Sequence, residues 1–272
     1  MGGLLQYPAM SKRQYHIGLT AGDVAGFVLL CGDPARAEKV SKRLAKVRGP
    51  WRNREYVTYT GERHGTGITV MGTGMGPDNI EIALVELAQC RRDLTLIRIG
   101  SCGALRKDIA LGDLVVSTGA VRLENTSTYF VPEGYPAVAA YDVVVALATA
   151  CARTGARHHV GLTASAPGFY GAQSRDVPGF PPRWKDIPGD LAKVGVLNLE
   201  MEISALLTIA SVAGLRAGAV CAVYAQRPKK LFIGSPEKER AEARAIDASL
   251  EAVDVLVAMD KSRGRARHWH LA

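Results

Sequence analysis

The chain has 272 residues, 47% of them apolar and 6% aromatic, and carries a formal net charge of +8. This composition, plentiful in Ala, Val, Leu and Gly, suits one large α/β domain and excludes a disordered, repetitive or helical transmembrane chain, since no apolar run approaches the ~20 residues a membrane span needs. The positive charge permits a nucleic-acid partner or a field that draws in small anions, and the scattered basic residues do not decide between them.

In chain order, residues 1–14 read as an extension that folds poorly. His16 follows on an extended arm, where its plain reading is a surface histidine. The apolar run 27–31 predicts a buried strand that ends in Gly32-Asp33-Pro34-Ala35-Arg36, ahead of a helix over 37–44. Glycine turn and early proline are the layout that offers backbone amides at a helix N-terminus. Arg36 lies in that first turn, where a cation opposes the helix dipole unless an anion is bound. A plain strand-to-helix turn explains the segment equally well. Residues 51–60 alternate as an antiparallel or edge strand, with Arg52 and Arg54 on one face as solvated charges.

A buried strand over 68–71 is closed by Gly72-Thr73-Gly74-Met75-Gly76, and a helix over 77–87 follows. The glycine spacing is not that of a dinucleotide fingerprint. Residues 94–99 then form a short apolar strand, interrupted by Arg98 and bounded by the turn Gly100-Ser101-Cys102-Gly103. An arginine inside an apolar run needs an anionic partner, because an unpaired buried charge is very costly. Glycines that admit a close backbone approach, with a hydroxyl beside them, complete an anion site at the carboxyl end of a strand.

A strand over 114–121, a polar loop, a helix over 141–154 and a strand over 161–166 come next. The loop that follows places Phe169, Gln173 and Arg175 within seven residues, and 175–188 is rich in proline and charge, as mobile lids are. Residues 196–202 read as the opening of an apolar helix running to 213. Capping explains one of its two carboxylates, Glu200 and Glu202, and leaves the other for a ligand. A strand over 217–224 ends in Gln226-Arg227, and a final helix spans 238–259 before a basic tail over 261–272. One domain over 15–260 is therefore expected. Its strand ends carry several arginines at one mouth, which supports an α/β enzyme without naming a substrate. Five widely spaced cysteines with no CxxC pair or metal-ligand spacing read as reduced thiols of a soluble cytoplasmic protein.

Taken together, GDPAR, RIGSCGAL, FYGAQSR and NLEMEISALL resemble, in order and over nearly the whole chain, the nucleoside phosphorylases of the uridine phosphorylase group. The resemblance implies a three-layer α/β/α sandwich around a mixed, partly barrel-like sheet. It implies a hexamer built from dimers with shared active sites. It also implies reversible phosphorolysis of uridine to uracil and ribose 1-phosphate in pyrimidine salvage. Residue by residue, Gly32, Arg36, Arg98 and Ser101 match phosphate-binding positions, and Arg54 matches the arginine that the neighbouring subunit adds. Glu200, Met201, Glu202 and Cys102 match ribose positions, with His16 reaching the sugar from the neighbour. Phe169, Gln173, Arg175 and Arg227 match the base pocket. Arg98, Glu202, Arg175 and Gln173 would carry the catalysis.

Arginine forks fit phosphate oxygens, and phosphate held under the anomeric carbon stabilises an oxocarbenium-like sugar. Neither a metal nor an organic cofactor is implied; inorganic phosphate is the co-substrate, and neither nucleic acid nor membrane is an expected partner. Departures from the family pattern are Ser101-Cys102 where two threonines are common, Gln226 where asparagine is common, and Asn79 where some relatives place a serine at a monovalent-cation site. No aspartate stands near Arg227 to protonate a purine, which disfavours the alternative of a purine or broader-specificity nucleoside phosphorylase.

Overall fold

A computed structural model describes residues 12–266, 268 and 269. Residues 1–11 of the expected extension and 267 and 270–272 of the tail lie outside the described residues. The strands are β1 (Phe27–Cys31), β2 (Ala45–Asn53), β3 (Tyr56–Arg63), β4 (Thr66–Gly72), β5 (Thr95–Ala104), β6 (Leu114–Arg122), β7 (Ala137–Val138), β8 (His158–Ser165), β9 (Asn198–Glu200), β10 (Arg216–Gln226) and β11 (Leu231–Phe232). The helices are α1 (Pro34–Ser41), α2 (Pro77–Cys90), α3 (Tyr141–Arg153), α4 (Ile187–Lys193), α5 (Ile203–Val212) and α6 (Ser235–Arg263).

All strands belong to one sheet, ordered β11-β10-β6-β8-β9-β5-β1-β4-β3-β2, with β7 on β6. A second pairing, β10 with β5 in parallel, closes β5, β10, β6, β8 and β9 into a ring. The sheet is thus a small barrel with an open wing of β1 to β4. Alternation along the strands explains the layers, because successive side chains leave opposite faces. Val28, Leu30 and Leu96 join Leu84 of α2 and Leu206 of α5 in one core. Leu29, Ile97 and Val220 join Val40 of α1, Leu147 of α3 and Leu256 of α6 in the other. This is the expected α/β/α sandwich with a partly barrel-like mixed sheet. Among the described residues no helix is long and apolar enough to cross a membrane.

Three local expectations are corrected. Residues 51–60 are not one strand but the two arms of the β2–β3 hairpin, and Arg54 sits at its tip with a φ of 51°. Nothing in the alternation marks the reversal, because the left-handed position is filled by arginine rather than glycine or asparagine. Residues 100–103 are not a turn: β5 runs on through them, paired with β10, whose register slips by one residue at Tyr224 between the partners of Cys102 and Gly103. Glycine is needed there for closeness, since a Cβ on Gly100 would stand 2.6 Å from Cys221 Sγ. Residues 198–200 are not helix but the short strand β9, which pairs β5 on one side and β8 on the other and so closes the barrel. The final helix is also longer than expected, running from Ser235 to Arg263.

Candidate active site

At the carboxyl ends of β1, β4 and β5 a cavity of about 810 Å³ opens, bounded below by Arg98, Glu200 and Glu202 and on one side by Phe169, Gln173 and Arg175. β5 delivers Arg98 from the sheet's centre, 4% exposed. Its NH2 donates to Glu202, and its Nε lies 3.4 Å from a Glu200 carboxylate oxygen. Its Nε and NH1 are buried without a hydrogen-bond partner. A buried guanidinium that lines a cavity and keeps a donor unbonded points to an anion site, since leaving such a bond unmade costs about 1–3 kcal/mol or more for a charged group. Gly32 abuts this group: a Cβ there would reach within 3.8 Å of Arg98 NH2, so the missing side chain keeps the backbone beside the guanidinium.

Arg36 reaches the same cavity from the first turn of α1, whose N-cap Asp33 accepts from Ala35 N–H. Its Nε donates to Glu242 at 2.8 Å, its NH1 to the Ile99 carbonyl at 3.0 Å and its NH2 to Tyr224 Oη at 3.4 Å. Ser101 lines the same cavity. Cys102 lines it too, its thiol beside Cys221 and Asn198, and burial, with Cys221 next to it, raises that thiol well above the ordinary 9.0.

The two carboxylates expected near α5 divide their work. Glu200 accepts from the Ser165 hydroxyl and from the backbone N–H groups of Glu202, the N-cap of α5, and Ile203, its first helical residue, so it satisfies free donors at the helix start. Burial raises the Glu200 carboxyl above its usual range, against the pull of Arg98. Glu202 also lines the cavity, its second oxygen accepting from Gly76 N–H at 2.8 Å, with Met201 beside it. The φ of 105° at Gly76 brings that amide to the carboxylate.

At the far end the Arg175 guanidinium lies 4.0 Å over the Phe169 ring and donates from Nε to the Phe169 carbonyl at 3.0 Å. Gln173 is buried, and its backbone carbonyl accepts from Arg227 NH2 at 2.7 Å. Arg227 lines an adjoining cavity of about 640 Å³ that shares Arg175 with the first, and its NH1 is buried without a partner. Burial, reinforced by the charge of Arg227, lowers the Arg175 pKa. Gln226 lines the adjoining cavity too, with its amide donating to the Lys107 and Ile109 carbonyls.

His16 and Arg54 line neither cavity of their own chain. They flank Tyr15: its ring is 4.7 Å from the His16 ring and 5.4 Å under Arg54. His16 is anchored by Glu86, which meets its Nδ1 at 2.7 Å and accepts from its backbone N–H. The sequence reading missed Tyr224, Lys39 and Glu242, all of which line the cavity. The one signal for Glu242 was a carboxylate on the apolar stripe of the last helix.

The description "Phosphorylase superfamily" matches residues 27–258. A uridine phosphorylase of Thermococcus kodakarensis is 44% identical over 263 residues, covering 94% of this chain and 92% of that protein. A uridine phosphorylase of Escherichia coli is 37% identical over 249 residues, with 89% and 98% covered. A guanosine phosphorylase of Halorubrum lacusprofundi is 33% identical over 251 residues, with 90% and 99% covered. A family match that runs from β1 into α6, around a cavity floored by an arginine with unmet donors, leaves one assignment: the chain belongs to the phosphorylase superfamily.

Proposed function

We propose that the protein is a uridine phosphorylase, a pentosyltransferase that converts uridine and inorganic phosphate to uracil and ribose 1-phosphate and back. The observation that carries the reading is Arg98, a buried guanidinium that lines the cavity beside Glu202 and keeps NH1 without any partner, while its Nε has only the 3.4 Å ionic contact with Glu200. Phosphate held by Arg98, Arg36, Ser101 and the Gly32 backbone lies under the sugar. Glu202 accepts from the ribose hydroxyls, and Met201 supports the ring. As the glycosidic bond stretches, the sugar becomes oxocarbenium-like and the phosphate dianion stabilises it. A phosphate oxygen then bonds to the anomeric carbon, and the bonding pair leaves with the base. Gln173 and Arg175 donate to the resulting uracil anion, with Arg227 behind them and Phe169 offering a ring face. Partial burial, which lowers the Arg175 pKa, also leaves its cation poorly hydrated and so more strongly attracted to that anion.

The reaction draws on neither a metal nor an organic cofactor in this reading, and we place it in the cytoplasm, in pyrimidine salvage. His16 and Arg54 lie together on a surface outside their own chain's cavity, which supports their service to a neighbouring subunit in a homo-oligomer, a hexamer built from dimers. Mixing inactive Arg54→Ala and Arg98→Ala subunits tests that sharing: mixed oligomers regain activity if the site is shared and none if it is not. The function itself is tested by a panel of uridine, thymidine, deoxyuridine, inosine and guanosine, assayed with and without phosphate. Uracil release that requires phosphate supports the reading. Equal release without phosphate, or turnover of purine nucleosides alone, defeats it.

A further inference from the structure

We propose that Glu242, on the first half of α6, is a positioning residue that holds Arg36 edge-on so that two of its donors remain free for phosphate. This rests on the phosphorolytic reading above. A guanidinium carries five N–H donors. Three of Arg36's are taken, by Glu242, the Ile99 carbonyl and Tyr224, which leaves two. The edge that Glu242 engages is what matters. A carboxylate meeting both terminal nitrogens would occupy the fork that phosphate needs. Glu242 meets Nε instead, at 2.8 Å, and leaves the terminal nitrogens aimed elsewhere.

Glu242 is itself fixed from a second side. Its other oxygen accepts from Lys39, one turn beyond Arg36 on α1, and the Arg36 and Glu242 side chains are only 7% and 6% exposed. One carboxylate thus serves two cations and leaves the group one net positive charge. That charge balance satisfies a buried arginine in the empty site and still favours an anion when one arrives. The same contact ties α1 to α6, whose residues Ser235, Lys238 and Glu239 also border the cavity.

The test is calorimetric titration of inorganic phosphate into the full-length protein and its Glu242→Ala, Glu242→Gln, Arg36→Ala and Arg36→Ala/Glu242→Ala variants, each checked by thermal melting. Glu242→Ala is expected to bind phosphate roughly tenfold more weakly, with Glu242→Gln, which keeps an acceptor for Nε, in between. In the Arg36→Ala background the Glu242 change is expected to add nothing, because it acts through Arg36. Steady-state kinetics should show a raised KM for phosphate with kcat and the KM for uridine held. Unchanged or tighter phosphate binding by folded Glu242→Ala and Glu242→Gln, while Arg36→Ala binds weakly, overturns the proposal and leaves the phosphorolytic reading intact. So does an equal Glu242 effect with and without Arg36. Should Arg36→Ala and Glu242→Ala both bind phosphate as the unaltered protein does, the phosphorolytic use of Arg36 fails and takes the proposal with it.

Discussion

Arg98 and Glu202 form an ion pair on the cavity floor, with side chains 5% and 4% exposed, so the group expected to hold phosphate is locked to the group expected to hold the sugar. Breaking a buried pair from one side costs about 3–5 kcal/mol, because the survivor is left uncompensated. Glu202→Ala is therefore expected to lower the melting temperature as well as activity. Arg98→Ala is expected to cut phosphate-dependent turnover by about 10²–10³-fold, the scale for removing a preorganised charge-stabilising donor. Added phosphate should raise the melting temperature of the unaltered protein and leave Arg98→Ala unmoved.

At the base end, Arg227 holds the Gln173 carbonyl while Arg175 rests on Phe169. Truncating Arg227 frees the segment that carries Gln173. Arg227→Met should lower kcat/KM for uridine by roughly tenfold, about one good charged hydrogen bond, and spare the KM for phosphate. Arg175→Met should cost more, since in the proposed reading it removes a cationic donor to the leaving uracil anion. A phosphate KM that rises in step would contradict this separation of the two ends.

A steric prediction concerns the barrel seam. The 2.6 Å approach between a Cβ on Gly100 and Cys221 Sγ means that Gly100→Ala should destabilise the protein by about 1–3 kcal/mol, the usual cost of overpacking. Cys221→Ala removes the sulfur it would strike. Chemical denaturation of the double variant should recover much of the loss, and strictly additive costs would show that the seam strain lies elsewhere.

All five cysteines are free and buried. Burial pushes the Cys31 thiol up to about 12 and those of Cys90 and Cys151 up to about 11, against an ordinary 9.0. Each folded value lies above the unfolded one. The stability these thiols contribute is therefore complete below pH 9.0 and drains away as the pH climbs through 11 and 12. Melting curves should fall steeply over that window, and Cys31→Ala should flatten the slope. A neutral-pH thiol reagent should label none of the five until denaturant is added.

Much of this architecture can be read from periodicity. Buried parallel strands such as β1 and β4 announce themselves as apolar runs closed by glycine, and Arg98 shows its need for an anion through its neighbours alone. What escapes are features set by distant partners. The three residues of β9 are strand because β5 and β8 lie on either side, and nothing local distinguishes them from the helix that follows. The reversal at Arg54 depends on a left-handed arginine that no turn rule flags. Glu242 lies 206 residues from Arg36, so only the packing of α6 against α1 reveals their contact.

β5 pairs with β1, β10 and β9, whereas the loop after β8 that carries Phe169 and Gln173 is tied down by one short 3-10 turn and one isolated bridge, Val177 to Phe180. Amide hydrogens in the two regions should exchange with solvent on very different schedules, slowest around Arg98 and fastest around Gln173. On heating, the protein would forget which base it accepts before it loses its hold on phosphate.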